Sequence, residues 1–194
     1  ITMKKLLVLL FSILISFNSY GETICVDTDA QERDGIIYLT SFDGLEPFTG
    51  KDVCKYENGQ IKSEVNYKDG KYDGKQTWWY ENGQIESEAN YKDGKEDGKW
   101  TEYSENGQKY KERNYKDGKE DGKWTAWYEN GQKKYERNYK DGKKDGKWTE
   151  WDENGQIRSE RYYENGSNIT KEKFNSGTEE KRIAEELLNK KLTI

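Results

Sequence analysis

The sequence predicts an all-β protein, an extended antiparallel sheet of β-hairpin repeats that ends in a capping α-helix. Two observations lead to this prediction: pairs of turn-forming residues recur at a fixed period, and aromatic residues make up 14% of a chain that is 37% charged. A fixed period of roughly 20 to 50 residues indicates stacked supersecondary units. The aromatic content argues against disorder, because disordered chains contain few aromatic side chains.

Asn-Gly pairs mark the repeat. They begin at positions that are always 24 residues apart: Asn58, Asn82, Asn106, Asn130 and Asn154. Strand-like runs such as "KWTAWY" and "QKKYERNY" flank each pair, and Asn-Gly is the strongest short hairpin signal. We therefore predict one hairpin per repeat, with Asn-Gly as a type I′ turn in which both central residues have positive φ. The segment "YENGSN" is expected to begin an incomplete sixth repeat.

The predicted turn fixes which residues face each other across a hairpin. At one position of the first strand, a tryptophan in the third, fourth and fifth repeats falls opposite an arginine. Where Gln76 or Asp52 replaces that tryptophan, the partner is Ala89 or Val65. This joint change predicts a cation–π or stacking contact. A tyrosine falls opposite a strand glycine, where its ring compensates for the missing side chain. The fourth repeat thus pairs Tyr128 with Lys133, Ala126 with Tyr135, Trp124 with Arg137 and Gly122 with Tyr139, and the other ladder pairs are Trp100–Arg113, Trp148–Arg161, Tyr91–Gly74 and Tyr115–Gly98.

Asp-Gly pairs predict the return turn between consecutive hairpins. Counting outward from Asp117-Gly118 brings Glu112 opposite Lys123. Opposite charges on facing strand positions stabilise a sheet, which supports this register. The equivalent predicted pairs are Glu64–Lys75, Glu88–Lys99 and Glu136–Lys147. Between Gly50 and Thr170 there is no Leu, Met or Phe, so the aromatic ladder itself is expected to form the core.

The N-terminal residues are typical of a secretory signal peptide. Lys4 and Lys5 precede an apolar run, and small residues follow it near Gly21. We therefore expect export to the periplasm, the outer membrane or the medium, without a membrane span in the mature chain. In an oxidising compartment two cysteines favour a disulfide, so we predict a bond between Cys25 and Cys54.

The C-terminal residues predict an amphipathic helix. Ile183, Leu187, Leu188 and Leu192 lie on one helical stripe, which we expect to cover the last strand. A partner-binding helix is the alternative. The predicted organisation is a signal peptide over residues 1–21, an N-terminal cap over 22–49, five repeats over 50–170 and the helix over 171–194.

The order of Tyr, "DGK", Gly and Trp resembles the MORN repeat pattern. Units such as "GKWTEWDENGQ" followed by "ERNYKDGK", and the opening "EPFTGKDVCKYENGQIKSE", are similar to its bacterial variant. Members of that group include proteins described as YwqK-like antitoxins and exported proteins. The resemblance implies a hairpin-repeat sheet that acts in binding or scaffolding.

Catalysis finds little support in the sequence. The chain contains no histidine, and its carboxylates recur beside lysines in every repeat instead of forming a unique cluster. We therefore predict no enzyme activity, no metal and no cofactor. Asp93 and Asp97 could suggest calcium, but their spacing and the neighbouring lysines suit a solvated turn better. The net charge of −5, with mixed signs, argues against a nucleic-acid partner.

A second aromatic column is the candidate binding face: Trp79, Tyr103, Trp127 and Trp151. Each residue follows a ladder position by three, so its side chain projects from the opposite face of a strand. Exposed aromatic rows suit a protein partner or sugar rings. We therefore predict a protein-binding or scaffolding module, with an envelope carbohydrate-binding module and an antitoxin-type protein as alternatives.

Overall fold

The computed structural model describes residues 24–25, 30–33, 36–41 and 44–192, so the predicted signal peptide (1–21) lies outside the described residues. Nineteen strands and a helix, α1 (Lys171–Leu192), make up the described part. The strands are β1 Ile24–Cys25, β2 Ala30–Arg33, β3 Ile36–Ser41, β4 Gly44–Pro47, β5 Gly50–Lys55, β6 Ile61–Lys68, β7 Lys71–Tyr72, β8 Gly74–Trp79, β9 Ile85–Lys92, β10 Lys95–Glu96, β11 Gly98–Tyr103, β12 Lys109–Lys116, β13 Lys119–Glu120, β14 Gly122–Trp127, β15 Lys133–Lys140, β16 Lys143–Lys144, β17 Gly146–Trp151, β18 Ile157–Glu164 and β19 Ser167–Ile169.

The repeats form one open antiparallel sheet, as the sequence predicts. Its order is β1-β5-β6-β8-β9-β11-β12-β14-β15-β17-β18-β19, and the short strands β7, β10, β13 and β16 pair with β6, β9, β12 and β15. The backbone register pairs Trp124 with Arg137 and Gly122 with Tyr139. Neighbouring hairpins follow each other along the chain, so the sheet grows one repeat at a time.

The Asn-Gly turn differs from the predicted type I′ turn. Gly131 has a φ of 82°, whereas Asn130 is not among the residues with positive φ. The Gly131 N–H donates to Tyr128 O at 2.9 Å, and the register shifts between Ala126 and Trp127, which pairs with Lys133. This is a type I turn followed by a glycine bulge. The predicted Tyr128–Lys133 pair is therefore wrong: the Tyr128 N–H donates to Gln132 O at 2.8 Å, and Lys133 faces Trp127. Lys134 is an extra residue, beyond which the predicted register returns with Ala126 opposite Tyr135.

The asparagine of this turn has a hydrogen-bonding role. Asn130 Oδ1 accepts the N–H of Gln132 at 3.0 Å, and its Nδ2 donates to Glu153 O of the following repeat at 2.7 Å. Asn58 and Asn82 donate to Glu81 O and Glu105 O in the same way. In these three repeats the turn thus links neighbouring repeats as well as closing a hairpin.

The Asp-Gly pair adopts the geometry that was expected of Asn-Gly. Asp117 and Gly118 have φ values of 50° and 77°, as a type I′ turn requires. Asn165-Gly166 has the same signs of φ and joins β18 to β19. The segment "YENGSN" therefore closes the fifth repeat, and the expectation that it begins a sixth is wrong.

The predicted charge pairs across the return turn are also wrong. Beyond β13 the Asp121 N–H donates to Asn114 O at 3.0 Å, and the register moves by two residues, so that Glu112 faces Thr125. Glu112 instead forms an ion pair with Lys99 of its own hairpin, at 3.2 Å. The same pairing replaces the predicted Glu64–Lys75, Glu88–Lys99 and Glu136–Lys147 pairs by Lys51–Glu64, Lys75–Glu88 and Lys123–Glu136.

An unbroken ladder of aromatic rings forms the core of the array. Successive ring centroids lie between 4.8 and 6.3 Å apart. Trp124 Nε1 donates to Asn114 O, and Gln76 Nε2 makes the equivalent bond to Asn66 O at 2.9 Å, which explains how a buried glutamine replaces a tryptophan. The ladder runs through Phe48, Tyr67, Tyr72, Tyr91, Trp100, Tyr115, Trp124, Tyr139, Trp148 and Tyr163.

The N-terminal strands cover the first repeat. Strands β2, β3 and β4 form a separate antiparallel sheet. The Ile37 N–H donates to Gly70 O at 2.8 Å, and the Gly70 N–H donates to Phe48 O at 2.7 Å, so this sheet is bonded to the first Asp-Gly turn. Strand β1 pairs with β5, the backbone register places Cys25 opposite Cys54, and Cys54 is disulfide-bonded.

Helix α1 covers less of the sheet than the sequence predicts. Phe174 contacts Tyr162 with ring centroids 5.0 Å apart, and Lys173 pairs with Glu164. Further along, Ile183, Leu187 and Leu188 are 45%, 56% and 60% exposed. The prediction that this stripe covers the last strand is therefore wrong for these three side chains. Strand β19 provides the backbone partner for β18 instead. Within the described residues, no helix is long and apolar enough to span a bilayer.

Substituting Gly122 by alanine tests the strand glycine. Gly122 has a φ of 95°, and an added Cβ would lie 3.4 Å from Asn114 Cβ. We expect Gly122→Ala to reduce the free energy of unfolding by about 1–3 kcal/mol, as is usual for a side chain held in a strained conformation. Urea denaturation followed by circular dichroism measures this loss.

Gly177→Ala is the matched control, because this glycine lies in α1 with open space around it. We expect it to leave stability unchanged or to raise it by up to about 1 kcal/mol through helix propensity. Equal midpoints for Gly122→Ala and the unsubstituted protein would contradict the strain argument.

Candidate functional site

The candidate binding column lies beside the Asn-Gly turns. Trp79, Tyr103, Trp127 and Trp151 each end the first strand of a hairpin, immediately after the bulge. All four side chains are half-buried. The column thus presents part of each ring to solvent and uses the remainder for packing.

Lysine side chains lie over two rings of the column. Lys109 Nζ is 4.6 Å from the ring centroid of Trp127, and Lys133 Nζ is 5.8 Å from that of Trp151. The ammonium of Lys109 also contacts the carboxylate of Glu112 at 2.9 Å. These cation–π contacts occupy ring surface that a sugar would need for stacking.

A tyrosine from the preceding repeat reaches the backbone of three column residues. Tyr56 Oη donates to Trp79 O at 2.6 Å, Tyr80 Oη to Tyr103 O at 2.7 Å, and Tyr128 Oη to Trp151 O at 2.9 Å. The sequence reasoning missed this second tyrosine series. Its signal was present, because Tyr56, Tyr80 and Tyr128 hold the same place in the 24-residue period.

The third repeat departs from this arrangement. Ser104 takes the place of the tyrosine, and its Oγ donates to Asn106 Oδ1 at 2.6 Å. A cavity of about 740 Å³ lies here, lined by Ser104, Tyr110, Trp127 and Tyr128 among others. Column residue Trp127 therefore borders an open space at its junction with the third repeat.

The arginines of the ladder connect consecutive hairpins. Arg113 Cζ lies 5.9 Å from the ring centroid of Trp100 and 5.3 Å from that of Trp124, in the next hairpin. Arg137 Cζ lies 5.0 Å from the ring centroid of Trp148. Its guanidinium also donates to Glu150 at 2.7 Å, and this hydrogen bond holds the pKa of that carboxyl below its ordinary value. The arginines thus stabilise the stack through both charge and ring contacts.

The second aspartate of "YKDGKEDGKW" has a structural partner. Asp97 Oδ2 accepts the N–H of Asp117 at 3.3 Å, and Asp121 Oδ2 accepts that of Asp141 at 3.1 Å. Each carboxylate therefore caps the type I′ turn of the following repeat. Among the described residues, no group of three or more Asp, Glu, Cys or His side chains is arranged to hold a metal ion.

The fold and this column define a class of protein: an array of β-hairpin repeats whose core is a one-dimensional aromatic ladder. The chain belongs to the MORN repeat variant family, whose model matches residues 53–69, 72–93, 96–117, 120–141 and 144–166, more than half of the chain. A comparison with curated proteins finds no match.

One solved structure that the comparison returns is that of accessory secretory protein 1, 2 and 3 in Streptococcus pneumoniae. The TM-score is 0.32 and the sequence identity is 15%. The match covers 66% of this chain and 24% of the other, so this chain spans about a quarter of that protein's length.

Asp121 tests the role of the second aspartate. We expect Asp121→Ala to lower the free energy of unfolding by about 0.5–1.5 kcal/mol, because the Asp141 N–H loses its acceptor. Asp121→Asn keeps an acceptor oxygen and should retain most of the stability. Urea denaturation with and without calcium provides the measurement. A rise in midpoint that requires both calcium and Asp121 would support the calcium alternative.

Glu150 provides a test of the arginine ladder by pH. Its pKa is lowered in the folded protein by the hydrogen bond from Arg137, so the stabilisation is present at neutral pH and is lost as the pH falls below 4.5. We expect the difference in urea midpoint between the unsubstituted protein and Glu150→Gln to shrink on acidification. The exposed Glu153→Gln in the same repeat is the control. A difference that does not change with pH would contradict this pairing.

Proposed function

We propose that the chain is an exported, non-enzymatic scaffolding module that binds a protein partner. One observation carries the proposal: Ile183, Leu187 and Leu188 form an exposed apolar stripe on α1. Apolar side chains grouped on one helix face are characteristic of protein-binding surfaces. The repeat array supports this role, since a sheet joined by inter-repeat hydrogen bonds can hold such a helix in place.

Export is supported by the apolar, lysine-preceded run within residues 1–21. The destination we propose is the periplasm, the outer membrane or the medium. Absence of enzyme activity is supported by the roles of the carboxylates: Glu112 pairs with Lys99, and Asp97 caps a neighbouring turn. These charged groups are engaged in the architecture of the repeats.

The two alternative functions rest on different surfaces. A carbohydrate ligand would stack on the column, where Lys109 and Lys133 already lie over Trp127 and Trp151. We therefore place carbohydrate binding behind protein binding. A YwqK-like antitoxin of bacterial origin would be a special case of protein binding, with a toxin as the partner and the same helix stripe as the contact.

A crosslinking pull-down with the mature protein tests the proposal. We expect the amount of a partner protein captured from a periplasmic extract to fall at least about tenfold in the Leu187→Glu/Leu188→Glu variant. The reason is that burial of two leucine side chains contributes several kcal/mol to a binding free energy. Glu185→Gln, on the same helix, is the matched control and should capture the same protein. Circular dichroism establishes that both variants keep the fold.

Two results would contradict protein binding. One is equal capture by the leucine variant and the control. The other is retention on cell-wall material that requires Trp127 and Trp151, measured with a Trp127→Ala/Trp151→Ala variant. That second result would favour the carbohydrate alternative.

A further inference from the structure

A tyrosine side chain fills the junction between consecutive repeats on the Asn-Gly side of the sheet. In three repeats its ring extends from the start of the turn towards the next repeat, and its hydroxyl donates to a backbone carbonyl 23 residues further along the chain. The donor and acceptor pairs are Tyr56 with Trp79, Tyr80 with Tyr103 and Tyr128 with Trp151. The array thus contains three examples of one site that is occupied by a phenol group.

The third repeat has the walls of this site without the ring. The residue in the tyrosine position is Ser104, and the carbonyl in the acceptor position is that of Trp127. Ser104 Oγ lies 2.6 Å from Asn106 Oδ1 and 3.0 Å from Gln108 O, so its single hydroxyl proton is donated within its own turn. Both Ser104 and Trp127 line the cavity of about 740 Å³, a size usual for ligand sites.

A second substitution in the same repeat changes the wall of this cavity. In the first and fourth repeats a lysine covers the tyrosine ring: Lys62 Nζ is 5.7 Å from the ring centroid of Tyr56, and Lys134 Nζ is 5.4 Å from that of Tyr128. The corresponding residue of the third repeat is Tyr110, which is 42% exposed and lines the cavity. The third repeat therefore lacks the turn tyrosine, and it carries the aromatic side chain of Tyr110 at the position from which a lysine covers that tyrosine in the first and fourth repeats.

We propose that this opening, the Ser104 notch (Ser104, Tyr110 and Trp127), binds a tyrosine side chain of the protein partner. The incoming ring packs against Tyr110, and its hydroxyl donates to Trp127 O as the chain's own tyrosines do in the other repeats. An aromatic wall and a carbonyl acceptor match the two ends of a phenol. This proposal rests on the proposed protein-binding function, and it specifies that the partner presents a tyrosine as an anchor residue.

N-acetyl-L-tyrosinamide is the probe for the notch. We expect its titration into the ¹⁵N-labelled full chain to shift the indole N–H signal of Trp127 and to leave that of Trp148 unchanged. N-acetyl-L-phenylalaninamide, which lacks the hydroxyl, should bind about 2- to 10-fold more weakly through loss of one hydrogen bond. Shifts with N-acetylglucosamine but not with the tyrosine probe would overturn the proposal, and so would no shift at Trp127 with either amide.

Two substitutions at one position supply the matched comparison. Ser104→Tyr fills the notch with the side chain that the other repeats carry, so the probe shifts should disappear while the urea midpoint stays equal or rises. Ser104→Ala leaves the notch open, and the probe should bind as it does to the unsubstituted protein. Probe binding that persists in folded Ser104→Tyr would overturn the proposal.

The crosslinking pull-down separates failure of the notch from failure of the proposed function. Capture of the partner that is lost in Ser104→Tyr and kept in Ser104→Ala supports the notch. Capture that persists in Ser104→Tyr but depends on Leu187 and Leu188 overturns the notch and leaves protein binding intact. If the unsubstituted protein captures nothing, protein binding fails and the notch fails with it as a partner site.

Discussion

Contact between aromatic rings of successive strands is the interaction on which the structure depends. No repeat buries its tryptophan alone, because one of the two rings that cover the indole belongs to a neighbouring repeat. Trp124, for example, lies between Tyr115 of the preceding repeat and Tyr139 of its own, at centroid distances of 5.6 and 4.8 Å. Stability is therefore a sum of nearest-neighbour terms, and the two ends need separate protection. Phe48 and the N-terminal sheet provide it at one end, and β19 provides it at the other.

Hydrogen bonds that cross between repeats constrain how the rings stack. The Asp-Gly turn donates its glycine N–H to the preceding repeat, as Gly118 does to Glu96 O at 2.8 Å, and receives a cap from an aspartate such as Asp97. At the opposite edge, asparagine and tyrosine side chains join the first, second and fourth Asn-Gly turns to the repeat that follows. Polar groups at both edges thus set the spacing that the ring contacts require, and an apolar core is not needed for that purpose.

The strands and most of the hairpin register were predictable from the sequence, because five copies of one pattern can be compared with each other. Trp124–Arg137 and Gly122–Tyr139 pair as counted from the turn. The bulges were not predictable, because Asn-Gly and Asp-Gly pairs both tolerate positive φ. The sequence does not show whether both residues of a pair adopt a positive φ or the glycine alone. Glu112 was paired wrongly because the register moves by two residues beyond β13, although the Asp117-Gly118 turn itself lies where the sequence predicts. The candidate column was found by its spacing, whereas the tyrosine hydroxyl series depends on side-chain reach and became visible only in three dimensions.

A repeated residue and an exceptional residue carry different information in such a protein. Many repeated polar groups have a partner in their own hairpin or in a neighbouring repeat, as Glu112 and Asp97 do, and architecture explains these groups. Ser104 and Tyr110 break the series at one junction, and Ile183, Leu187 and Leu188 have no counterpart in any repeat. The stack does not require these residues, since the ladder passes the third repeat through Trp100 and Tyr115 without interruption. At such positions the side chain can change without loss of a contact that the stack requires. They are therefore the positions at which selection can specify a ligand without disturbing the fold.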